Sequence, residues 1–291
     1  MSTRETMKTK TVLITGATDG IGKVTALEIA RTGARVVLVG RNEEKGTEVV
    51  EELRRRTSND AIELMCADLS RMSEVVRLAR AFLEAHDRLD VLVNNVGAIF
   101  MERRETAEGF ERTWALNHLG YVLLTQRLLD KLKATAQAHG QARVVNVSSR
   151  AHKSSKGIDF DDLNREKSYA GWSRYCESKL ANILFTRELA ARLEGTKVSA
   201  NALHPGFVAS KFGHLDNGWK GSLVKLSQVF AISVEKGADT SVFLATSPDV
   251  SGVSGEYFYQ RRVSQPSRRG VDAEAARRLW EATEATLAGV Q

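Results

Sequence analysis

The sequence predicts one doubly wound α/β domain built on a parallel sheet, and three observations lead there. Short, continuously apolar runs alternate with helix-patterned segments along most of the chain. Such runs are what strands covered on both faces look like. A glycine-rich stretch, Gly16, Gly20 and Gly22, falls between the first strand and the first helix. The chain has 291 residues, 42% hydrophobic and 27% charged, which is enough for one substantial core. No repeat, low-complexity tract or linker interrupts it, and it holds only three prolines. Residues 11–291 therefore form one expected domain behind a polar tail, residues 1–10.

Each element follows from local pattern. The run Thr11–Thr15 predicts a strand, and Ala26, Leu27, Ile29 and Ala30 mark a helix that stops at Gly33. Arg35–Val39 is the second strand, closed by Gly40, and Asn42 is placed to cap a charged amphipathic helix reaching about Arg56. Ala61–Ala67 is the third strand. Ser70 or Ser73 is expected to cap the next helix, whose apolar face carries Val75, Val76, Leu78, Ala79 and Phe82. Leu89–Val93 is the fourth strand, ending at Asn94-Asn95-Val96-Gly97, and Phe110–Leu132 is an unusually apolar helix. Arg143–Val147, ending at Ser148-Ser149, and Lys197–Leu203, ending at His204-Pro205-Gly206, are the fifth and sixth strands. Between them a helix containing Tyr175 runs to about Leu193. A short helix near Val234–Ala245, a last strand Gly255–Tyr259 and a terminal helix near Ala273–Leu287 complete a Rossmann-type order. Residues 150–170 and 207–233 are the long irregular segments, where function often lies.

Composition narrows the function classes. The net charge is +6, but the basic residues are interspersed with acids along helices. The local excess at Arg261, Arg262, Arg268 and Arg269 carries no nucleic-acid motif, so no nucleic-acid partner is expected. Two distant cysteines, Cys66 and Cys176, make neither a disulfide framework nor a metal pattern. A reducing compartment, the cytoplasm, is expected, with no transmembrane anchor, because no apolar run approaches the ~18 residues of a membrane span.

The motifs point to nucleotide chemistry. In Thr15-Gly16-Ala17-Thr18-Asp19-Gly20-Ile21-Gly22 the glycines let backbone approach a pyrophosphate at a helix N-terminus. The spacing is G-x-x-x-G-x-G rather than G-x-G-x-x-G. At the end of the second strand an acid would hold the ribose hydroxyl of NAD, and an arginine a 2′-phosphate. Here Arg41 and Asn42 stand there, favouring NADP(H) over NAD(H). Asp68-Leu69 and Asn95-Val96-Gly97 follow strands at the same sheet edge, where Asp68 can accept from an adenine amine or simply cap a turn. Ser148-Ser149 ends the fifth strand, where a hydroxyl can meet a substrate oxygen or serve a turn. Tyr175 and Lys179 are four apart, one turn on one helix face, and an ammonium beside a phenol favours its ionised form. That spacing alone does not separate an acid/base pair from ordinary helix surface.

Taken together and in this order, the pieces resemble the short-chain dehydrogenase/reductase family, from Thr11 to about Leu287. The resemblance implies a catalytic tetrad. Tyr175 passes the proton, and Lys179 tunes it and binds the nicotinamide ribose. Ser149 polarises the substrate carbonyl, and Asn117, in Leu116-Asn117-His118-Leu119-Gly120, holds a water linking Lys179 to solvent. It also implies that Pro205, Gly206 and Val208 flank the nicotinamide and that Ser210 meets its carboxamide. Val145–His152, Ser178–Asn182, Ala202–Gly206 and Arg277–Trp280 look like the retinol dehydrogenase-like branch, as does the long insertion before Tyr175. Val96 departs from the family's usual alanine, and the N-terminal anchor typical of animal retinol dehydrogenases has no counterpart in residues 1–10.

The expected reaction is hydride transfer between nicotinamide and a carbonyl or alcohol. Phe207, Phe212, Leu215, Trp219, Leu223, Leu226, Val229 and Phe230 suggest a lid over a bulky apolar substrate of retinoid, steroid or aromatic type, or else a packing surface. A protochlorophyllide reductase-like enzyme and a non-enzymatic NADP(H)-sensing scaffold are the rival readings. A homodimer or homotetramer through the helices at Tyr121–Leu132 and Tyr175 is a further expectation, the alternative being that those faces are core.

Overall fold

The alternation of apolar runs and helices is realised as one sheet. The computed structural model describes residues 7–206 and 233–290. Among them the strands are β1 (Thr11–Thr15), β2 (Arg35–Gly40), β3 (Ile62–Cys66), β4 (Val91–Asn94), β5 (Ala142–Val147), β6 (Val198–His204), β7 (Tyr257–Tyr259) and β8 (Arg262–Val263). Their order in the sheet is β3-β2-β1-β4-β5-β6-β7-β8. All neighbours are parallel except β8, which turns back on β7. The order reverses between β1 and β4, so the loops leaving those strands diverge and open a crevice at their carboxyl ends.

The helices are α1 (Gly20–Ala30), α2 (Glu43–Thr57), α3 (Met72–Ala85), α4 (Gly120–His139), α5 (Gly171–Arg192), α6 (Val234–Thr246) and α7 (Ala273–Leu287). They cover both faces, and strand alternation divides the core accordingly. Leu13, Val37 and Val39 point into the layer of α3, α4, α5 and α7. Val12, Ile14, Val36 and Leu38 point into the layer of α1, α2 and α6. The period of two along a strand puts successive side chains on opposite faces.

Several details correct the sequence expectations. Neither Ser70 nor Ser73 caps α3. Arg71 holds that position without a side-chain hydrogen bond, because Ser70 is tied to Asp68 and Ser73 to Glu108. Within the expected tail, Met7 is only 1% exposed and packs in the α1 layer. The apolar helix begins as a turn at Arg112–Trp114, passes through a π-helical stretch at Ala115–Leu119, and runs on as α4 to His139. β8 and two 3₁₀ turns, Arg150–Ser154 and Arg268–Val271, lie where no periodic signal marks them. Asn42 does cap α2, accepting from the Lys45 amide.

α7 lies against α5, with Trp280 stacked on Phe185 at 5.7 Å between ring centroids. Thr283 Oγ1 pairs with His118 Nε2 at 3.2 Å. The apolar residues of α4 and α5, open at the sequence level between core and a symmetry mate, are thus buried within one chain. Among the described residues no helix is long and apolar enough to cross a membrane.

Candidate active site

The crevice begins at the glycine loop. Gly16 (φ +64°) and Gly20 (φ +50°) occupy left-handed backbone, which glycine adopts without steric penalty. A Cβ on Gly22 would fall 2.2 Å from the Gly16 carbonyl oxygen, and one on Gly40 would fall 2.6 Å from Thr18 Cγ2. Asp19 caps α1 by accepting from the Gly20 amide at 2.8 Å, and its other oxygen meets Lys45 Nζ at 2.5 Å. The amides of a helix's first turn have no intrahelical acceptor and carry the positive end of its dipole. Ala17, Thr18 and Ile21 complete the loop that forms a cradle. That cradle fits the phosphates of a dinucleotide.

Asn95 braces the cradle from beneath. Its amide nitrogen donates to the Thr15 and Gly16 carbonyls at 2.8 and 3.3 Å, and its backbone N–H donates to Thr15 Oγ1. Val96 N–H shares Thr15 Oγ1, while the Val96 carbonyl accepts from Tyr121 Oη at 2.7 Å. These two residues shape the loop through protein contacts. Arg41 is exposed at the end of β2. Asp68 spends Oδ1 on the Ser70 amide and hydroxyl, so the turn-forming role is the one visible for that oxygen. Leu69 is buried in the core. Lys45, on the first turn of α2 and paired with Asp19, is a second cation at this end that the sequence does not single out.

α5 brings the chemistry to the crevice. Tyr175, Ser178, Lys179 and Asn182 share its buried face. The Tyr175 phenol hydrogen-bonds the Ser149 hydroxyl. Ser148 cannot take that place: its hydroxyl is buried and donates to the Lys179 carbonyl at 2.7 Å. Lys179 Nζ donates to the Val147 carbonyl at 3.1 Å and lies 5.8 Å from the Tyr175 ring centroid. A Cβ on Gly97 would come 3.2 Å from that nitrogen. Asn117, on the π-helical stretch, clamps Ala98 through both its N–H and its carbonyl and donates to Ser178 Oγ at 3.0 Å. All four predicted tetrad members therefore meet at one place, with the Asn117 side chain spent on the loop after β4.

Electrostatics runs against one sequence expectation. Burial pushes the Tyr175 phenol up to about 12, and the Ser149 hydrogen bond offsets only part of that. The same burial pushes the Lys179 ammonium down to about 7. Desolvation penalises each charged form more than the two groups help each other, because Lys179 is turned toward Val147.

Two histidines, unpredicted as site residues, hold the Ser149 turn. His152 Nδ1 donates to the Ser149 carbonyl at 2.6 Å, while its Nε2 accepts from the Ser267 amide at 3.0 Å. His204 Nδ1 accepts from the Arg150 and Gly206 amides, and burial pushes its pKa down to about 4. Both are neutral with one tautomer fixed by their partners. Pro205 and Gly206 stand beside this turn; Val208, Ser210 and the apolar set from Phe207 to Phe230 lie outside the described residues.

On the other side Trp172 is 54% exposed and Met101 59%, while Tyr175 is 7%. The Trp172 and Tyr175 rings are 5.8 Å apart. Gly171 lets Met101 approach, since a Cβ there would meet Met101 Cα at 2.6 Å. Beneath lie buried charges that sequence reading passed over, Glu111, Arg174 and Glu177. Arg174 and Glu177 are three apart, the spacing of an ordinary surface pair. A separate cavity of about 640 Å³ opens at the opposite end of the sheet, beside Gln141, Arg187 and Lys197, and contains no tetrad residue.

The short chain dehydrogenase family model matches residues 10–220. Retinol dehydrogenase 13 from Homo sapiens is 40% identical over 294 residues, covering 99% of this chain and 87% of its own. A solved structure of an uncharacterised protein from Mycobacterium Paratuberculosis superposes with a TM-score of 0.74 at 33% identity, over 95% of this chain and 92% of that one. An NADH-dependent reductase solved with NAD aligns at 25% identity and a TM-score of 0.66, covering 88% of this chain and 96% of the other. With a nucleotide cradle and the Ser149, Tyr175 and Lys179 cluster on one sheet edge, the protein belongs to the short-chain dehydrogenase family, on its retinol dehydrogenase-like branch, and is an alcohol/carbonyl oxidoreductase.

Proposed function

We propose that the protein is an NADP(H)-dependent reductase/dehydrogenase of bulky apolar carbonyls and alcohols, with Tyr175 as general acid/base. The observation that carries this is the Tyr175 phenol, hydrogen-bonded to Ser149, one turn from buried Lys179 and on the same edge as the glycine cradle. Gly16, Gly20, Ile21, Gly22 and Gly97 would hold the dinucleotide, with Asp68, Leu69, Pro205 and Gly206 along its length and Arg41 at the 2′-phosphate. When bound, the nicotinamide supplies or accepts the hydride. Tyr175 is protonated at neutral pH, so it is ready to give its proton to a carbonyl oxygen as that oxygen gains charge. Ser149 already accepts from the Ala151 amide, so its own hydrogen, shared with Tyr175 in the absence of substrate, can turn to the same oxygen. Lys179, with a pKa of about 7, gains or loses a proton readily beside Tyr175. In the oxidising direction the phenolate takes the alcohol proton.

Supporting an apolar substrate, Trp172 presents exposed apolar surface beside the Tyr175 ring, with exposed Met101 against Gly171, and one relative is a retinol dehydrogenase by name. Free thiols at Cys66 and Cys176 suit a reducing, cytoplasmic setting. A homodimer or homotetramer would use surfaces other than the α4 and α5 faces that α7 and the core cover.

The reading is tested by screening the purified enzyme with NADPH and NADH against aldehydes and ketones of graded size. Turnover that rises with apolar bulk is expected, and a panel with none would reject it. Arg41→Ala should raise KM for NADPH about 10- to 100-fold and leave KM for NADH nearly unchanged, since a charge-assisted contact is worth roughly 1.5–3 kcal/mol. Equal effects on both cofactors would remove Arg41 from the phosphate. Trp172→Ala should raise KM for a long apolar aldehyde about 5- to 30-fold, and for a small one far less. Partial cover of an aromatic face at ~25 cal/mol per Å² is worth roughly 1–2 kcal/mol. A uniform change across substrate sizes would take Trp172 out of the pocket.

A further inference from the structure

We infer that Glu111 and Arg174 are positioning residues for Tyr175, acting as one of two tethers that fix the catalytic helix against the segment carrying Asn117. Both are buried charges, 0% and 1% exposed. The Glu111 carboxylate accepts from the Thr113 and Trp114 amides at 2.8 and 2.9 Å, which starts the helical run leading to Asn117. The same carboxylate accepts from Arg174 Nε at 2.8 Å. Arg174 is the residue before Tyr175, and its guanidinium lies 4.3 Å over the Trp114 ring. The second tether is Asn117 to Ser178, whose hydroxyl turns back to the Tyr175 carbonyl at 2.8 Å.

Tyr175 is thus bracketed. One tether joins the residue before it to the start of the Asn117 segment, and the other joins the residue three after it to Asn117 itself. With both in place, α5 can neither slide nor rotate against the π-helical stretch. Arg174 extends the hold to the insertion before α5, through the Leu163 carbonyl and through Glu177, which binds Arg165 at 2.9 Å. A buried ion pair is weak evidence of stabilisation, because desolvation offsets its attraction. Its use here is directional: the planar guanidinium sends Nε to Glu111, one terminal nitrogen to Glu177 and the other to the Leu163 carbonyl, and few geometries satisfy all three. Misplacement by about 1 Å at a reacting group can cost about a hundredfold in rate.

The inference rests on Tyr175 being the acid/base, and the test separates the two. Glu111→Gln and Arg174→Lys are compared with wild type and Tyr175→Phe, using NADPH oxidation with decanal. Turnover is counted per titrated NADPH-binding site, well below each variant's Tm, across pH. In both positioning variants kcat per site should fall about 10- to 100-fold, and the pH profile of kcat should shift. KM and NADPH affinity should stay within about threefold, as for an interaction made only at the reacting geometry. The double variant should be no worse than the weaker single, because one tether is lost only once. If kcat per site and its pH profile stay at wild-type values, whether or not Tm drops, the pair is only structural and the inference fails. Failure of both variants to fold would likewise assign the pair to stability and overturn it. An active Tyr175→Phe would instead overturn the reading of the site.

Discussion

Replacing Tyr175 by Phe should reduce kcat by about a thousandfold or more while leaving NADPH affinity within a few-fold of wild type. General acid/base groups contribute roughly 10²- to 10⁴-fold to rate, and the phenol is the group proposed for that role. Ser149 hydrogen-bonds the phenol, and an aliphatic hydroxyl is a far weaker acid than a phenol. The packing cost is small, since the ring stays and only the hydroxyl leaves. Removing it frees Ser149 to keep its bond from the Ala151 amide, so the turn after β5 should hold. The cradle lies across the crevice on α1 and owes nothing to the phenol. Stopped-flow reduction of an apolar aldehyde, with NADPH binding followed by fluorescence, checks both halves. Wild-type turnover in the variant would end the assignment, and lost NADPH binding would mean that the phenol belongs to the cofactor site.

Much of this arrangement was legible in the chain. β1, β2 and β4 read clearly because Val12–Ile14, Val36–Val39 and Val91–Val93 are apolar without interruption, which few other local structures demand. The cradle read clearly because its glycines sit between a strand and a helix, where the Gly16 carbonyl and the Asn95 side chain leave no room for a Cβ on Gly22. Tyr175, Lys179, Ser149 and Asn117 carry family spacing, and the fold brings all four together. The helix boundaries at Ala273–Leu287 and Val234–Thr246 fell within a residue of expectation, because capping groups Asp272 and Ser233 mark them.

What was hidden is long-range and polar. Glu111 and Arg174 are 63 positions apart, and nothing local tells a buried carboxylate from a solvated one. Asn95 looks like a cofactor ligand by position, and the brace it also forms was hidden because it depends on β4 lying beside β1 and bringing its amide under Thr15. Ser70 and Ser73 look like caps, and lose that role to Asp68 and Glu108, acceptors whose arrival depends on the turns around them. The direction of the Tyr175 shift was misjudged for a related reason. Spacing of four on a helix brings Lys179 near, but only depth of burial decides whether attraction or desolvation wins.

That depth has a measurable consequence at Lys179. In the unbound enzyme Lys179→Met should be nearly inactive and yet more stable than wild type near neutral pH. The folded pKa is about 7, against an ordinary value of 10.5. Between those values the unfolded chain binds more protons than the folded one, so wild-type stability rises with pH across this window. Below pH about 7 the full cost of burying the ammonium is present, and above about 10.5 it is gone. At about 1.4 kcal/mol per pK unit that cost is roughly 4–5 kcal/mol. Methionine fills the same volume without charge. It forfeits the bond to the Val147 carbonyl, worth about 1 kcal/mol. A net gain of roughly 3 kcal/mol should appear at pH 7, several degrees in Tm for a chain of this size. The gain should shrink steadily toward pH 10. Chemical denaturation of both proteins at pH 6, 8 and 10 tests it. A variant less stable than wild type at pH 6, or a gap that widens with pH, would show that Lys179 is charged and well solvated in the fold. A stabilised but inactive variant would show that the site keeps a costly cation for its chemistry, a stability that the fold gives up to hold a proton carrier beside Tyr175.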